Sequence, residues 1–198
     1  RSFAGQRPVV ALIGAGVQGR AHLPVLGHAL HGVAVRLFDR HPERAAALAE
    51  VARATPGIGV VDISPDARSA IGGADIVVTA VSFSGPASRQ PMTNAWLAPG
   101  VTVVAVDYAT FAAAEVARDA ALFVVDERGQ FLANRAAGQF DGYPDPTTTL
   151  GEAILGDRAR PEGRVLVTHL GVGLADVVFA DAIARRPAEL GLGTAVPR

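Results

Sequence analysis

The chain has 198 residues, 49% of them hydrophobic and 19% charged, with a formal net charge of −1; this allows one sizeable core and gives no electrostatic footprint for nucleic acid or an anionic membrane. There is no cysteine, so a disulfide framework and thiolate chemistry are excluded. All 18 basic side chains are arginine, which excludes a P-loop and a pyridoxal-phosphate Schiff base, since both need a lysine.

No apolar run reaches the length of a membrane span and no signal peptide is visible, so a cytoplasmic location is expected. The chain begins at Arg1, within what reads as a loop before a strand. It is therefore expected to be a trimmed piece of a longer protein. Any lysine that its chemistry needs must come from outside these residues.

Strands and helices alternate along the chain. Pro8 to Ile13 reads as a first strand. Val17 to about Leu30 reads as a helix with Leu23, Leu26 and Leu30 on one face, and Pro24 inside it predicts a kink or local adjustment. Val33 to Phe38 is a second strand. Pro42 to Ala54 is a helix with proline in its first turn, followed by Glu43 and alanine-rich periodicity. A third strand is expected over Ile58 to Ile63. Ser64-Pro65-Asp66 then opens a short helix by capping. Asp75 to Val81 is a continuous apolar fourth strand, as in a buried parallel sheet.

Ser82 to Pro91 reads as a loop, and Trp96 to Gly100 leads into a fifth strand over Val101 to Val106. A helix is expected over Phe111 to Arg118, a sixth strand over Leu122 to Val125, and irregular chain over Gly138 to Pro146. Leu150 to Leu155 reads as a short helix, Arg164 to Thr168 as a strand, and Ala175 to about Arg186 as a closing helix. The alternation implies right-handed crossovers and an α/β fold, a Rossmann-type doubly wound parallel sheet. Residues 1–170 form its nucleotide-binding domain. Residues 171–198 form a C-terminal helical segment that is expected to pack on a second domain.

The sharpest motif follows the first strand. Gly14-Ala15-Gly16-Val17-Gln18-Gly19 is G-x-G-x-x-G, and Asp39 ends the second strand twenty residues after Gly19. A strand before, a helix after and an acid at this distance make a dinucleotide fingerprint. Gly14 serves the tight turn, Gly16 the approach of the pyrophosphate, and Gly19 the packing of helix on strand. The helix start at Val17 and Gln18 offers free N–H groups to phosphate. Asp39 favours NAD through its adenosine ribose, while Arg40 beside it can accept the 2′-phosphate of NADP.

Ligands of open α/β sheets bind beyond the carboxyl ends of the strands. That rule places Asp62 near adenine or leaves it as an exposed strand-end acid. It makes Ser82 a candidate donor beside the nicotinamide ribose and phosphate. It puts Asp107, directly after the fifth strand, where hydride transfer would occur. Asp107 is either a general base or a turn-forming or helix-capping residue. His169 either lines the crevice or is a satisfied structural histidine. His31 and His41 read as loop residues, the five histidines lack metal-ligand spacing, and the arginines read as solvated faces.

These residues resemble the ornithine cyclodeaminase/mu-crystallin family. Gly14 to Leu23 is similar to its GAGVQ-type fingerprint. Ala74 to Thr79, Trp96 to Val101, and Leu122 to Asp126 resemble its fourth strand, its approach to the fifth, and the strand after that. Gly171 to Asp176 and Gly191 to Thr194 resemble its C-terminal glycine, helix and GLGT pattern. The resemblance implies a Rossmann domain that binds NAD, or NADP, with Gly171 also at the cofactor. It implies a second domain for substrate and homodimerisation, built mostly from an N-terminal segment that carries a lysine and arginines.

The implied chemistry is hydride transfer from the α-carbon of an L-amino acid through an imine, with Asp107 as the catalytic aspartate. Ornithine-like and alanine-like substrates both fall within it. This chain departs from the family at Tyr108-Ala109-Thr110-Phe111 and in its longer Ser82–Pro91 loop, which leaves the substrate open. Taken alone, the 198 residues are expected to bind cofactor but turn over poorly. The alternatives are a non-catalytic NAD(P)H-binding protein of the mu-crystallin type, or the nucleotide domain of another amino-acid dehydrogenase or ketimine reductase.

Overall fold

In the computed structural model of the chain, residues 7–192 are described. Eight strands form one all-parallel sheet: β1 (Val9–Ile13), β2 (Val33–Phe38), β3 (Ile58–Ile63), β4 (Ile76–Thr79), β5 (Thr102–Ala105), β6 (Leu122–Val125), β7 (Thr148–Thr149) and β8 (Val165–Thr168). Their order is β3-β2-β1-β4-β5-β8-β6-β7. The chain winds one way from β1 to β3 and the other way from β4 to β5. The point of reversal lies between β1 and β4, so a crevice is expected at their carboxyl ends. The last strand inserts between β5 and β6, which brings the start of the final helix to the same edge.

Among the described residues, six α-helices lie between strands, α1 (Val17–Ala29), α2 (Pro42–Ala54), α3 (Ala67–Ile71), α4 (Ala114–Arg118), α5 (Arg128–Ala136) and α6 (Leu150–Leu155), and a seventh, α7 (Gly173–Glu189), follows β8. On one face of the sheet Val10, Leu12, Val35 and Leu37 pack with Leu23 and Leu26 of α1 and with Leu48, Ala49 and Ala52 of α2. On the other, Ile13, Val77, Val103, Phe123 and Leu166 pack with α3, with α4 and with Phe131 of α5. Buried aromatic rings fill that side, with Phe131 and Phe140 centred 4.7 Å apart. Full burial of such side chains contributes about 1.5–3 kcal/mol each.

Side-chain caps set the helix starts. Asp66 accepts from the Ser69 N–H at 2.7 Å at the head of α3, as its capping sequence predicts. Thr149 and Glu152 form a reciprocal capping box on α6. α1 runs as one element through Pro24, and β2, α2, β3, β6 and α6 keep their expected limits.

Four expectations need correction. The helix expected from Phe111 begins only at Ala114, because Phe111 to Ala113 pair with Met92 instead: Met92 N–H donates to Phe111 O, and Ala113 N–H to Met92 O. β4 stops at Thr79, since the Val81 N–H turns to the Asp107 carboxylate at 3.1 Å. α5 and the short β7 were not expected from the sequence. α7 begins at Gly173 and runs to Glu189, longer than its periodicity indicates. It presents Leu174, Val177, Val178, Phe179 and Ile183 outward, each at least 59% exposed. Among the described residues, no helix is long and apolar enough to cross a membrane. Gly193 and Thr194 lie outside the described residues.

Candidate functional site

The carboxyl edge of the sheet carries three adjoining cavities. A central one of about 260 Å³ is lined by Gly14, Gly16, Asp39, Arg40 and Ser82 among others. An outer one, on the β2–β3 side, is lined by Phe38, Asp39, Arg40, Ile63 and Ser64. The third lies towards β5 and β8 and is lined by Gln18, Ser82, Phe83, Asp107, His169 and Gly171. Ser82 joins the central and third cavities, and Asp39 and Arg40 join the central and outer ones.

The glycine loop is built sterically. Gly14 has φ +106°, and a Cβ there would lie 2.4 Å from the Ala80 carbonyl oxygen, so only glycine fits. A Cβ on buried Gly19 would come within 2.1 Å of the Gly14 oxygen, which locks α1 against the loop. Gly16 differs: a Cβ there would meet nothing within 4 Å. The space above it is open. No side chain caps α1, and its first turn holds no acid. Its leading N–H groups, with Val17 85% exposed, therefore face that space with the positive end of the helix dipole. A phosphate group fits such a cradle.

Asp39 ties the end of β2 to this loop. Its Oδ2 accepts from the Ala15 N–H at 2.7 Å, and its Oδ1 from the His41 N–H at 2.8 Å. Each oxygen keeps a lone pair for a ligand hydroxyl. Asp62 is exposed on the edge strand and lines none of the three cavities.

Asp107 is 3% exposed. Thr79 Oγ1 donates to its Oδ1 at 3.0 Å, and the Val81 N–H to its Oδ2. Burial pushes its carboxyl group up from 3.8 to about 6, against the lowering effect of those two hydrogen bonds. It caps no helix, since α4 starts seven residues later at Ala114. The turn that follows uses its main-chain oxygen, which accepts from the Thr110 N–H. The carboxylate, held by Thr79 and Val81, lines the third cavity.

Tyr108 beside it adopts φ +59°, an uncommon conformation for a bulky residue. Its hydroxyl donates to Leu170 O at 3.2 Å, and its ring packs between Phe83 and Phe140. The opposite wall, His169 to Gly171, is held by Asp126. That side chain is 7% exposed, and its Oδ2 accepts both the Leu170 and Gly171 N–H groups, at 2.9 and 2.7 Å.

The structure therefore gathers the sequence candidates at one edge, with Val17 and Gly19 supplying backbone rather than cavity lining. His169 takes the crevice alternative. Three residues escaped the sequence reading. Asp126 directly follows a strand, the same signal that singled out Asp107. His41 and Arg44 line the central cavity, although the sequence reads them as loop and solvated face.

Residues 5–189 match the family described as the ornithine cyclodeaminase/mu-crystallin family. The chain is 29% identical over 193 residues to the nodulation efficiency protein NfeD of Rhizobium meliloti, covering 94% of this chain and 58% of that protein. It is 27% identical over 181 residues to the ketimine reductase mu-crystallin of Mus musculus, covering 88% and 54%. Its fold superposes on the Thermococcus litoralis Δ(1)-pyrroline-2-carboxylate reductase, solved with NADH and L-proline, with a TM-score of 0.78 at 24% identity, covering 96% of this chain and 61% of that one. The chain thus spans somewhat more than half the length of the curated relatives it matches.

Proposed function

Because the chain belongs to the ornithine cyclodeaminase/mu-crystallin family, we propose that it is the nucleotide-binding part of a nicotinamide-dinucleotide-dependent oxidoreductase acting on an L-amino acid or its imine. The observation that carries this is the buried Asp107 carboxyl group, lining a cavity that adjoins the glycine cradle. The family relationship to a ketimine reductase supports a carbon–nitrogen bond as the reacting group.

The residues fit the cofactor. The open space at Gly16 and the uncapped start of α1, at Val17 to Gly19, hold the pyrophosphate. Asp39 accepts from the adenosine ribose, with Arg40 beside it. Ser82 and Gly171 border the nicotinamide end. When bound, the cofactor would supply the hydride chemistry, its oxidised form taking a hydride from the substrate α-carbon and its reduced form returning one. Asp107 orients the substrate nitrogen and takes the proton that this nitrogen gives up as the C=N bond forms; in reduction it returns that proton. A group titrating near 6 is matched to both directions at neutral pH. The Thr79 hydroxyl and the Val81 N–H hold its carboxylate in place.

The finer reading follows the family. The reaction is a cyclodeaminase-type lyase step or a simple oxidoreduction on an ornithine-like or alanine-like substrate, in cytoplasmic amino-acid metabolism. In this reading α7 packs against a substrate and dimerisation domain of the whole protein; its outward apolar face supports that packing. The test is to follow NADH consumption by the whole protein with cyclic and open-chain 2-imino acids. Imine-dependent consumption that falls by roughly 100-fold or more in Asp107→Asn supports the reading. NADH binding without turnover of any imine or amino acid overturns it in favour of a non-catalytic binding protein.

A further inference from the structure

Two segments that leave the substrate open in the sequence meet at the third cavity. Phe83, from the Ser82–Pro91 loop, packs its ring on that of Tyr108, with centroids 5.2 Å apart and planes tilted by 59°. Both side chains line the cavity that holds Asp107. Phe83 is 64% exposed, so much of its ring is left uncovered, and an apolar group laid against it is removed from water at a gain.

The second ring is fixed. Tyr108 is wedged between Phe83 and buried Phe140, and its hydroxyl donates to Leu170 O. Its backbone stands at φ +59°, a conformation that a bulky residue keeps only where its surroundings hold it there. Because Tyr108 directly follows Asp107, this wall begins beside the carboxylate that takes the substrate nitrogen. Asp107 is the one acid lining the cavity among the described residues, and the α-nitrogen occupies it. A side-chain ammonium would leave water here without a carboxylate of its own.

We propose that Phe83 and Tyr108 form an aromatic wall that receives the substrate side chain, so that the substrate is an L-amino acid, or its imine, with a large apolar side chain. The inference rests on the oxidoreductase reading above and narrows it. Such a side chain carries no amine to attack the imine, so the reaction is a simple oxidoreduction and not a cyclodeamination.

The test follows NADH consumption by the whole protein with the 2-imino acids that ammonia forms with phenylpyruvate and with pyruvate. NAD+ reduction with L-phenylalanine and with L-ornithine, and a fluorescence titration of NADH, accompany it. In wild type, kcat/KM should be about 10-fold or more higher for the benzyl than for the methyl side chain. That ratio should fall by about 10-fold in Phe83→Ala and partly return in Phe83→Leu. Phe83 is exposed, so both variants keep the fold. A wild-type preference for the methyl side chain or for L-ornithine, or a ratio that Phe83→Ala leaves unchanged, would overturn the proposal, while turnover of any imine would still uphold the oxidoreductase reading. NADH affinity that falls as far as the ratio would assign the rings to the nicotinamide and overturn it as well. If no imine or amino acid is turned over, the oxidoreductase reading falls and takes the aromatic wall with it.

Discussion

Thr79 at the end of β4 donates its hydroxyl hydrogen to Asp107 Oδ1, 3.0 Å away, just beyond the end of β5. Both side chains are buried, and the two strands run in register up to the contact, with Thr79 opposite Ala105. The sheet itself therefore aims the carboxyl group into the crevice.

Turnover should follow the titration of this group. Burial pushes the Asp107 carboxyl group up to about 6, and in the proposed role it is the base in amine oxidation and the acid in imine reduction. kcat/KM for oxidation should rise with pH through about 6, and for reduction should fall through the same region. Rate profiles measured in both directions check this, and in Asp107→Asn the limb should disappear from both.

The same shift predicts a stability change. The folded chain keeps a proton on Asp107 up to about pH 6, whereas the unfolded chain releases it near 3.8. The stabilisation from this group is complete below 3.8 and lost as pH rises through 6. Asp66, Glu127 and Glu152, whose pKa values are held down by hydrogen bonds at helix starts, act with the opposite sign. Denaturant unfolding of wild type and Asp107→Asn isolates Asp107. The stability difference, wild type minus variant, should fall by on the order of 2 kcal/mol between about pH 3.5 and pH 7.

Much of this architecture is legible in the sequence because it rests on local chemistry. Pro42 fixes the start of α2, the Asp66 cap fixes α3, and steric demand at Gly14 and Gly19 makes the fingerprint what it is. α5 is not legible, because Phe131 is its one buried residue and so leaves no apolar period. Phe111 to Ala113 pair with Met92 across the chain, a non-local choice that overrides their helical propensity. Arg44 looks like an ordinary surface arginine until β2 and α2 turn it towards the glycine loop.

The glycines separate folding from binding. Gly19→Ala places a methyl group 2.1 Å from a backbone oxygen and should destabilise the chain by about 2 kcal/mol or more. Gly16→Ala meets open space and should cost less than about 1 kcal/mol. It should nevertheless weaken NADH binding by roughly 10-fold or more, because the methyl group fills the cradle. Thermal unfolding and cofactor titration of both variants check the contrast.

Asp126 should behave as a positioning residue. In Asp126→Ala the Leu170 and Gly171 N–H groups lose their shared acceptor, at a cost of about 2 kcal/mol. Asp126→Asn retains one acceptor oxygen for both and should recover most of that loss in chemical denaturation. KM for the substrate should rise in the alanine variant and return towards wild type in the asparagine variant.

The most direct test of the central claim is a crystal structure of the whole protein with NADH. The account predicts the pyrophosphate over Gly16 at the start of α1, the adenosine ribose at Asp39, and the nicotinamide ring in the cavity lined by Asp107 and His169. A dinucleotide bound elsewhere, or one whose nicotinamide ring lies outside that cavity, would contradict it.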